Sequence, residues 1–343
     1  MKTRSSSRPK HLLCLSVEKY KSTFNLEKAV CNHGFFMMAP NKWNPSTKSL
    51  QRPLRLMDQR CSVMVTISHP PGENNLHVHV HDVEVLSLED QQAILALSRM
   101  LRISDEDENA VIEFQKLYPE AKEEGFGRIF RSPSIFEDAV KSLLLCYCSW
   151  QRTLKMAKSL CELQLQLSRS NRKKQQLVEN FPIPKELLEI SESNLQKQCG
   201  LGMRAGYIMK LAKKVEKNSI MEKLEKERSR FVHTRLIEFN GFGPFSVATT
   251  LMCMGKYEKV PADSETKRHL KEVYGIDSSE NQPLHKIVEE IYGKYTPFQC
   301  IAYWFEVVQN YEKSHGRLSE LEESKYHTIT GDYSNKRKRP SKW

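Results

Sequence analysis

The stretch 236–270, LIEFNGFGPFSVATTLMCMGKYEKVPADSETKRHL, restricts what this chain can fold into more than any other. Its centre, Asn240-Gly241-Phe242-Gly243-Pro244, separates two apolar-periodic runs. Two glycines one residue apart relieve the steric limits of a tight turn, and proline is accepted in the first turn of a new helix. Leu236, Ile237 and Phe239 supply the apolar positions before the break, and Val247, Ala248, Leu251, Met252 and Met254 supply them after it. The pattern predicts helix, Gly-x-Gly hairpin, helix. Such a hairpin turns backbone N–H groups outward at a helix N-terminus, which suits a phosphate better than any particular base. Gly-x-Gly alone is also the corner of an ordinary helical hairpin. Beyond the second helix, Pro261 stops the chain and Asp263 falls near the start of a basic helix with Lys267, Arg268 and His269. Read by itself, Asp263 is an N-cap or first-turn acid stabilised by the helix dipole.

GFGPFSVA followed by VPAD resembles the signature of the helix-hairpin-helix DNA glycosylase superfamily. The resemblance covers about residues 10–312 and is strongest over 132–155 and 180–270. It implies that Asn240, Gly241, Phe242, Gly243, Pro244 and Phe245 grip the DNA backbone, often with a monovalent cation. It also implies that Asp263 is the catalytic carboxylate. A second glycine turn, 199–208, resembles the Leu-Gly-x-Arg-Ala element that lies close to DNA in relatives, which adds Gly202 and Arg204; Lys267 and Arg268 join them as backbone contacts. Lys210, Lys213, Lys214 and Lys217 are either phosphate contacts or a solvated helix face. Residues 295–305 resemble the closing helix that walls the base pocket, so Tyr303 is expected there, with Tyr147 and Trp150 as pocket or wedge residues. Phe36, Trp43 and Trp304 are further aromatics able to stack on a base.

Base excision fixes what these groups must do. The damaged nucleotide leaves the stack at a cost of a few kcal/mol, and the glycosidic bond breaks with positive charge growing on the sugar. A carboxylate near C1′ stabilises that charge and orients water. Glu265, two residues after Asp263, is expected to point elsewhere. Three departures from the superfamily pattern narrow the chemistry. Bifunctional relatives carry a lysine in the second hairpin helix where this chain has Phe245, which implies a monofunctional enzyme that leaves an abasic site. The amides that relatives place near 147–150 are absent, so Tyr147 is either an intercalating substitute for them or a core residue. The glutamine with which 8-oxoguanine enzymes read their base falls at Tyr303.

The chain has 343 residues and a net charge of +11, enough for two or three compact units and consistent with a polyanionic partner. Nine scattered cysteines read as free thiols in a reducing compartment, with no cluster spacing for iron–sulfur and no metal site. His77, His79 and His81 share one strand face, read as polar and solvated. No apolar run reaches eighteen residues, so a soluble intracellular protein, away from membranes, is expected; the resemblance implies a monomer acting on damaged double-stranded DNA. Lys336-Arg337-Lys338-Arg339-Pro340 reads as a nuclear-import signal.

The fold class is α+β: an N-terminal antiparallel β-sheet subdomain, then a two-part all-α helix-hairpin-helix fold. Residues 1–9 form a basic arm and 10–87 a mixed α/β subdomain. Segments 88–131 and 261–312 form a helical subdomain closing the pocket. Residues 132–260 form the central helical subdomain with the hairpin at 230–255, and 313–343 form a disordered basic tail. The alternative function is a noncatalytic DNA-binding or lesion-sensing protein; a hairpin used only for protein contacts is a third.

Overall fold

The computed structural model describes residues 9–171, 178–218, 220–277 and 282–330. The basic arm (save Pro9), much of the basic stretch 168–176 and the Lys336–Pro340 run lie outside them.

Alternation of apolar and polar residues builds the N-terminal sheet. Strand β1 (Pro9–Ser16) precedes helix α1 (Leu26–Val30), and β2 (Lys42–Asn44), β3 (Ser49–Arg55), β4 (Ser62–Ser68) and β5 (Asn75–His81) follow. All neighbours are antiparallel, in the order β1-β5-β4-β3-β2. Val63, Val65 and Ile67 of β4 and Leu76, Val78 and Val80 of β5 are buried, as a period of two requires. His77, His79 and His81 lie half-buried on the opposite face, where His81 bonds the Thr66 hydroxyl at 2.8 Å and His77 meets Glu73 at 2.8 Å. The short pair β2–β3 completes the sheet at the edge opposite β1. Trp43 sits in β2 and donates its indole N–H to Ser319 O at 2.8 Å.

The rest is helical: α2 (Leu88–Leu95), α3 (Asp105–Leu117), α4 (Pro119–Glu123), α5 (Ile135–Leu145), α6 (Trp150–Asn171), α7 (Pro184–Leu187), α8 (Glu192–Cys199), α9 (Arg204–Asn218), α10 (Ile220–Glu225), α11 (Ser229–Ile237), α12 (Pro244–Cys253), α13 (Ser264–Tyr274), α14 (Leu284–Tyr292) and α15 (Gln299–His315). Helix α2 ends at Leu95, where the chain tightens into a 3₁₀ turn at Ala96–Arg99. Helix α5 is buried from Ile135 to Leu144, charges included. Those charges are paired: Glu137 takes Arg52 of β3 at 3.2 Å and Lys141 at 2.7 Å. Burial opposes ionisation of Glu137, yet Arg52 and Lys141 hold its carboxyl down at about 2. This ion pair ties the sheet to the helices.

Helix α12, the second helix of the hairpin, packs on α5 and α11. Its C-terminal carbonyls are orphaned by helix geometry and carry partial negative charge. Arg102 donates to Met252 O at 2.7 Å and Cys253 O at 3.1 Å, and Arg131 donates to Cys253 O at 2.9 Å.

The expected disorder after 313 is corrected for residues up to 330. Helix α15 runs to His315, and two 3₁₀ turns, Leu318–Glu320 and Glu323–Thr328, carry the chain back across the molecule. Leu318, Leu321, Tyr326 and Ile329 are buried. Two indoles satisfy the backbone of this strap, Trp43 at Ser319 O and Trp150 at Tyr326 O (2.7 Å). A polar segment with four spaced apolar residues has no periodic signature, so long-range partners order it, the Ser319 hydroxyl donating to Glu27 among them.

Candidate active site

The hairpin forms as the spacing demands. Gly241 has φ +86°, and a Cβ there would stand 2.4 Å from the ring of Tyr207 on α9. Both backbone conformation and packing therefore require glycine. Gly243 is extended, caps α12, and donates its N–H to Ser246 Oγ at 3.0 Å; nothing lies within 4 Å of where its Cβ would be. We expect Gly241→Ala to cost about 1–3 kcal/mol through strain and overlap with Tyr207. Gly243→Ala should cost less, only the penalty of a poorer N-cap. Urea denaturation of the two variants checks this, and equal midpoints would contradict it.

Pro261 ends the link from α12, and Asp263 becomes the N-cap of α13. Its Oδ1 accepts the Glu265 N–H at 2.9 Å and the Thr266 N–H at 3.1 Å. The Asp263 N–H donates to Thr266 Oγ1 at 3.1 Å, and that hydroxyl lies 2.9 Å from Tyr303 OH. The N-cap reading and the site reading of Asp263 thus coexist in one residue. Burial pushes its carboxyl up; the Thr266 backbone bond opposes this, and the charge of Glu265 adds to the rise.

Asp263 opens onto a cavity of about 100 Å³. Phe245, Thr249 and Met252 present one face of α12 to it, at intervals of four and three residues. Tyr303, Trp304 and Tyr311 of α15 form another wall, and His33, Gly34, Phe35 and Met37 come from the N-terminal subdomain. Leu318, Ile329 and Thr330 of the strap close a third side. Trp150 reaches the cavity because Gly34 is glycine: a Cβ there would stand 2.8 Å from its ring. Burial lowers the pKa of His33 to about 4, so the imidazole beside Trp304 is neutral at physiological pH.

Several sequence assignments change. Phe245, half-buried, lines the cavity. Phe242 is buried edge-on against Phe239, and its N–H donates to Phe239 O at 3.0 Å. Arg268 is no free cation. It bonds Glu265 and Glu272 and lies over the ring of Tyr311, while Lys267 is exposed. Glu265 does not point away from Asp263 but lines the same cavity, because this carboxylate is pulled back by Arg268 and Tyr311 OH (2.9 Å). Arg204 donates to the carbonyls of Cys146 and Tyr147, the latter at 3.1 Å, and so braces the α5–α6 turn. That turn holds Tyr147 at φ +49°, with its side chain wholly exposed. Gly202 (φ +58°) sits in the neighbouring α8–α9 turn beside the exposed Met203, and Arg152 ties the two turns by donating to Gly200 O at 3.1 Å. Asn240, Gly241 and Pro244 are exposed at the hairpin tip. Of the aromatics named as stacking candidates, Trp150, Tyr303 and Trp304 line the cavity; Phe36 and Trp43 are core.

His33, Gly34, Phe35, Met37 and the strap residues were not legible as site residues. They lie in short irregular segments without periodicity. No three His, Cys, Asp or Glu side chains among the described residues are placed to hold a metal ion.

No family model matches the sequence, and no curated protein matches it. Solved structures do. The 3-methyladenine DNA glycosylase from Archaeoglobus fulgidus superposes with a TM-score of 0.63 at 18% identity, covering 87% of this chain and 98% of that one. The Clostridium acetobutylicum 8-oxoguanine glycosylase/lyase, solved with double-stranded DNA containing cytosine opposite 8-oxoguanine, gives 0.58 at 16% identity, covering 84% and 92%. The chain has the helix-hairpin-helix DNA glycosylase fold. Within that fold, Asp263 follows the hairpin directly and faces a cavity that Phe245 also lines.

Proposed function

We propose that this protein is a DNA N-glycosylase of base-excision repair that hydrolyses the glycosidic bond of a flipped, damaged base without cleaving the strand. The observation that carries the reading is a half-buried carboxylate, Asp263, whose Oδ1 accepts from the Glu265 N–H, the Thr266 N–H and the Thr266 hydroxyl at the edge of an aromatic cavity beside the hairpin. The hairpin tip takes the phosphate backbone through peptide N–H groups. A monovalent cation there would be held by peptide oxygens, the ligand type such ions take, and the open space at Gly243 leaves that backbone approachable. The flipped base enters between Phe245, Trp304 and the strap. Asp263 stabilises the positive charge growing on the sugar and orients the attacking water. Phe245 offers no amine, which supports simple hydrolysis over Schiff-base chemistry.

Tyr147 is the wedge in this reading. A wholly exposed aromatic on a braced turn with positive φ carries backbone strain and leaves apolar surface in water without any packing return, which marks a functional residue. Replacing it with Ala is expected to lower base release about tenfold or more, the loss of one ring–base stack. Thermal stability should stay unchanged, because the ring touches nothing. Single-turnover kinetics and a melting curve on the same variant check both halves.

The reading as a whole is tested by release of free base from duplexes carrying an alkylated purine, 8-oxoguanine or uracil. Release leaving alkali-labile sites without spontaneous nicks supports it. Tight DNA binding with no release from any lesion would instead favour a lesion sensor.

A further inference from the structure

Buried polar atoms are nearly always paired, and a buried indole N–H in particular finds an acceptor. Two atoms of residues that line the cavity break that rule. Glu265 Oε2 and Trp304 Nε1 are buried without a hydrogen-bond partner, and both residues line the cavity with Asp263. Neither side chain is loosely held. Glu265 Oε1 receives Nε and Nη2 of Arg268 and the hydroxyl of Tyr311, which fixes the carboxylate and leaves Oε2 as its one unused oxygen. Trp304 is fixed edge-on to Tyr303, with ring centroids 5.6 Å apart, and against His33 at 5.5 Å. The neutral His33 places no competing cation beside the pair. A rigid acceptor and a rigid donor, both desolvated in advance, mark the place where a ligand supplies the complements.

We propose that Glu265 and Trp304 are the base-reading pair of this cavity: Glu265 Oε2 accepts from an exocyclic amine of the flipped base, and Trp304 Nε1 donates to an unprotonated ring nitrogen of the same base. This deepens the glycosylase reading and rests on it. The class of ligand follows from the chemistry. An amino-bearing purine such as 3-methyladenine offers both complements, and when alkylation leaves it cationic the carboxylate adds charge attraction. A base whose amine is closed into a ring, as in ethenoadenine, offers Glu265 no hydrogen and leaves the carboxylate buried and unpaired, a heavy penalty. Asp263 and Glu265, two residues apart, divide the work: one carboxylate for the sugar, one for the base.

Three proteins test it: wild type, Glu265→Gln and Trp304→Phe. The second variant keeps an aromatic ring and leaves the Arg268–Glu265–Tyr311 cluster intact, so it controls for misfolding of the first. Release of 3-methyladenine from alkylated duplex should fall about tenfold to a hundredfold in kcat/KM for Glu265→Gln, the factor that a hydrogen bond to a charged group supplies, and about tenfold for Trp304→Phe, whose lost bond joins neutral partners. Any release of ethenoadenine should change less than about threefold. Equal losses on both lesions, or none on either, overturn the pair while leaving the hydrolytic reading standing. Independently, free 3-methyladenine is titrated into ¹⁵N-labelled protein while the Trp304 indole resonance, assigned through its absence in Trp304→Phe, is followed. A shift in wild type that is lost in Glu265→Gln supports the pair even if no duplex yields base, in which case only the hydrolytic reading falls. No shift and no release overturn both.

Discussion

Replacing Asp263 with Asn is expected to lower base release by about a thousandfold or more while leaving DNA binding close to that of the wild type. The magnitude is that of removing a preorganised electrostatic stabiliser together with its role toward water. Asn caps a helix as well as Asp does, so the fold should persist. The pH profile gives a second signature. Burial raises the Asp263 pKa, so the carboxylate needed for reaction is lost at a higher pH than an ordinary aspartate would be. Release should therefore fall with acid through an apparent pKa above the normal aspartate range, with the Asp263 limb absent in the variant.

Stability should move the other way. A folded-state pKa above the unfolded one means that folding favours the protonated form. The associated stability is present below the unfolded pKa and declines as pH rises through the folded value. At neutral pH Asp263 is a cost, and Asp263→Asn should melt at or above the wild-type temperature. Release that survives in the variant, measured as single-turnover rates on the lesion the wild type prefers, would remove Asp263 from its role.

The largest stability loss is expected at Arg102. Its side chain is 1% exposed and donates to Ile129 O at 2.9 Å, Met252 O at 2.7 Å and Cys253 O at 3.1 Å, while pairing with Asp107 at 3.3 Å. It also lies 5.5 Å over the ring of Tyr257. Arg102→Ala removes the positive charge at the negative end of α12 and leaves Asp107 and three carbonyls underpaired in a closed interior. Breaking such a buried cluster costs about 3–5 kcal/mol. Because α12 carries Phe245, Thr249 and Met252 into the cavity, base release should fall with stability even though Arg102 does not line the cavity. Chemical denaturation and release kinetics below the melting transition separate the two effects. A loss under 1 kcal/mol would show that Arg131, also on Cys253 O, suffices alone.

Local chemistry decided much of what could be read in advance. The hairpin was legible because Gly241 must take a positive φ under Tyr207, and no other residue type does so cheaply. Asp263 was legible because a proline stop followed by an acid before a helical run marks an N-cap. Strands β4 and β5 followed from alternation and α5 from a continuous apolar face. Strands β2 and β3 were not legible: β2 is three residues long, and Pro53 interrupts the pattern in β3. The arginines misled for a different reason. Arg204 and Arg268 carry the charge expected of DNA contacts, but whether a guanidinium faces solvent or a buried carbonyl depends on which chain segments fold beside it.

By itself, the sequence determined the hairpin, the catalytic candidate at its exit and the absence of an amine at position 245, since each is set by residues within a few positions of one another. Only the tertiary structure decided the cavity. His33, Trp150, Phe245, Glu265, Trp304 and Ile329 span nearly the whole described chain, and no local preference brings them together. Glu265 shows the difference most clearly. Helical spacing alone turns it away from Asp263, whereas Arg268 on the next turn and Tyr311 on α15 fix its carboxylate in the cavity wall. Side-chain hydrogen bonds, one turn along the helix from Arg268 and across the fold from Tyr311, set that orientation.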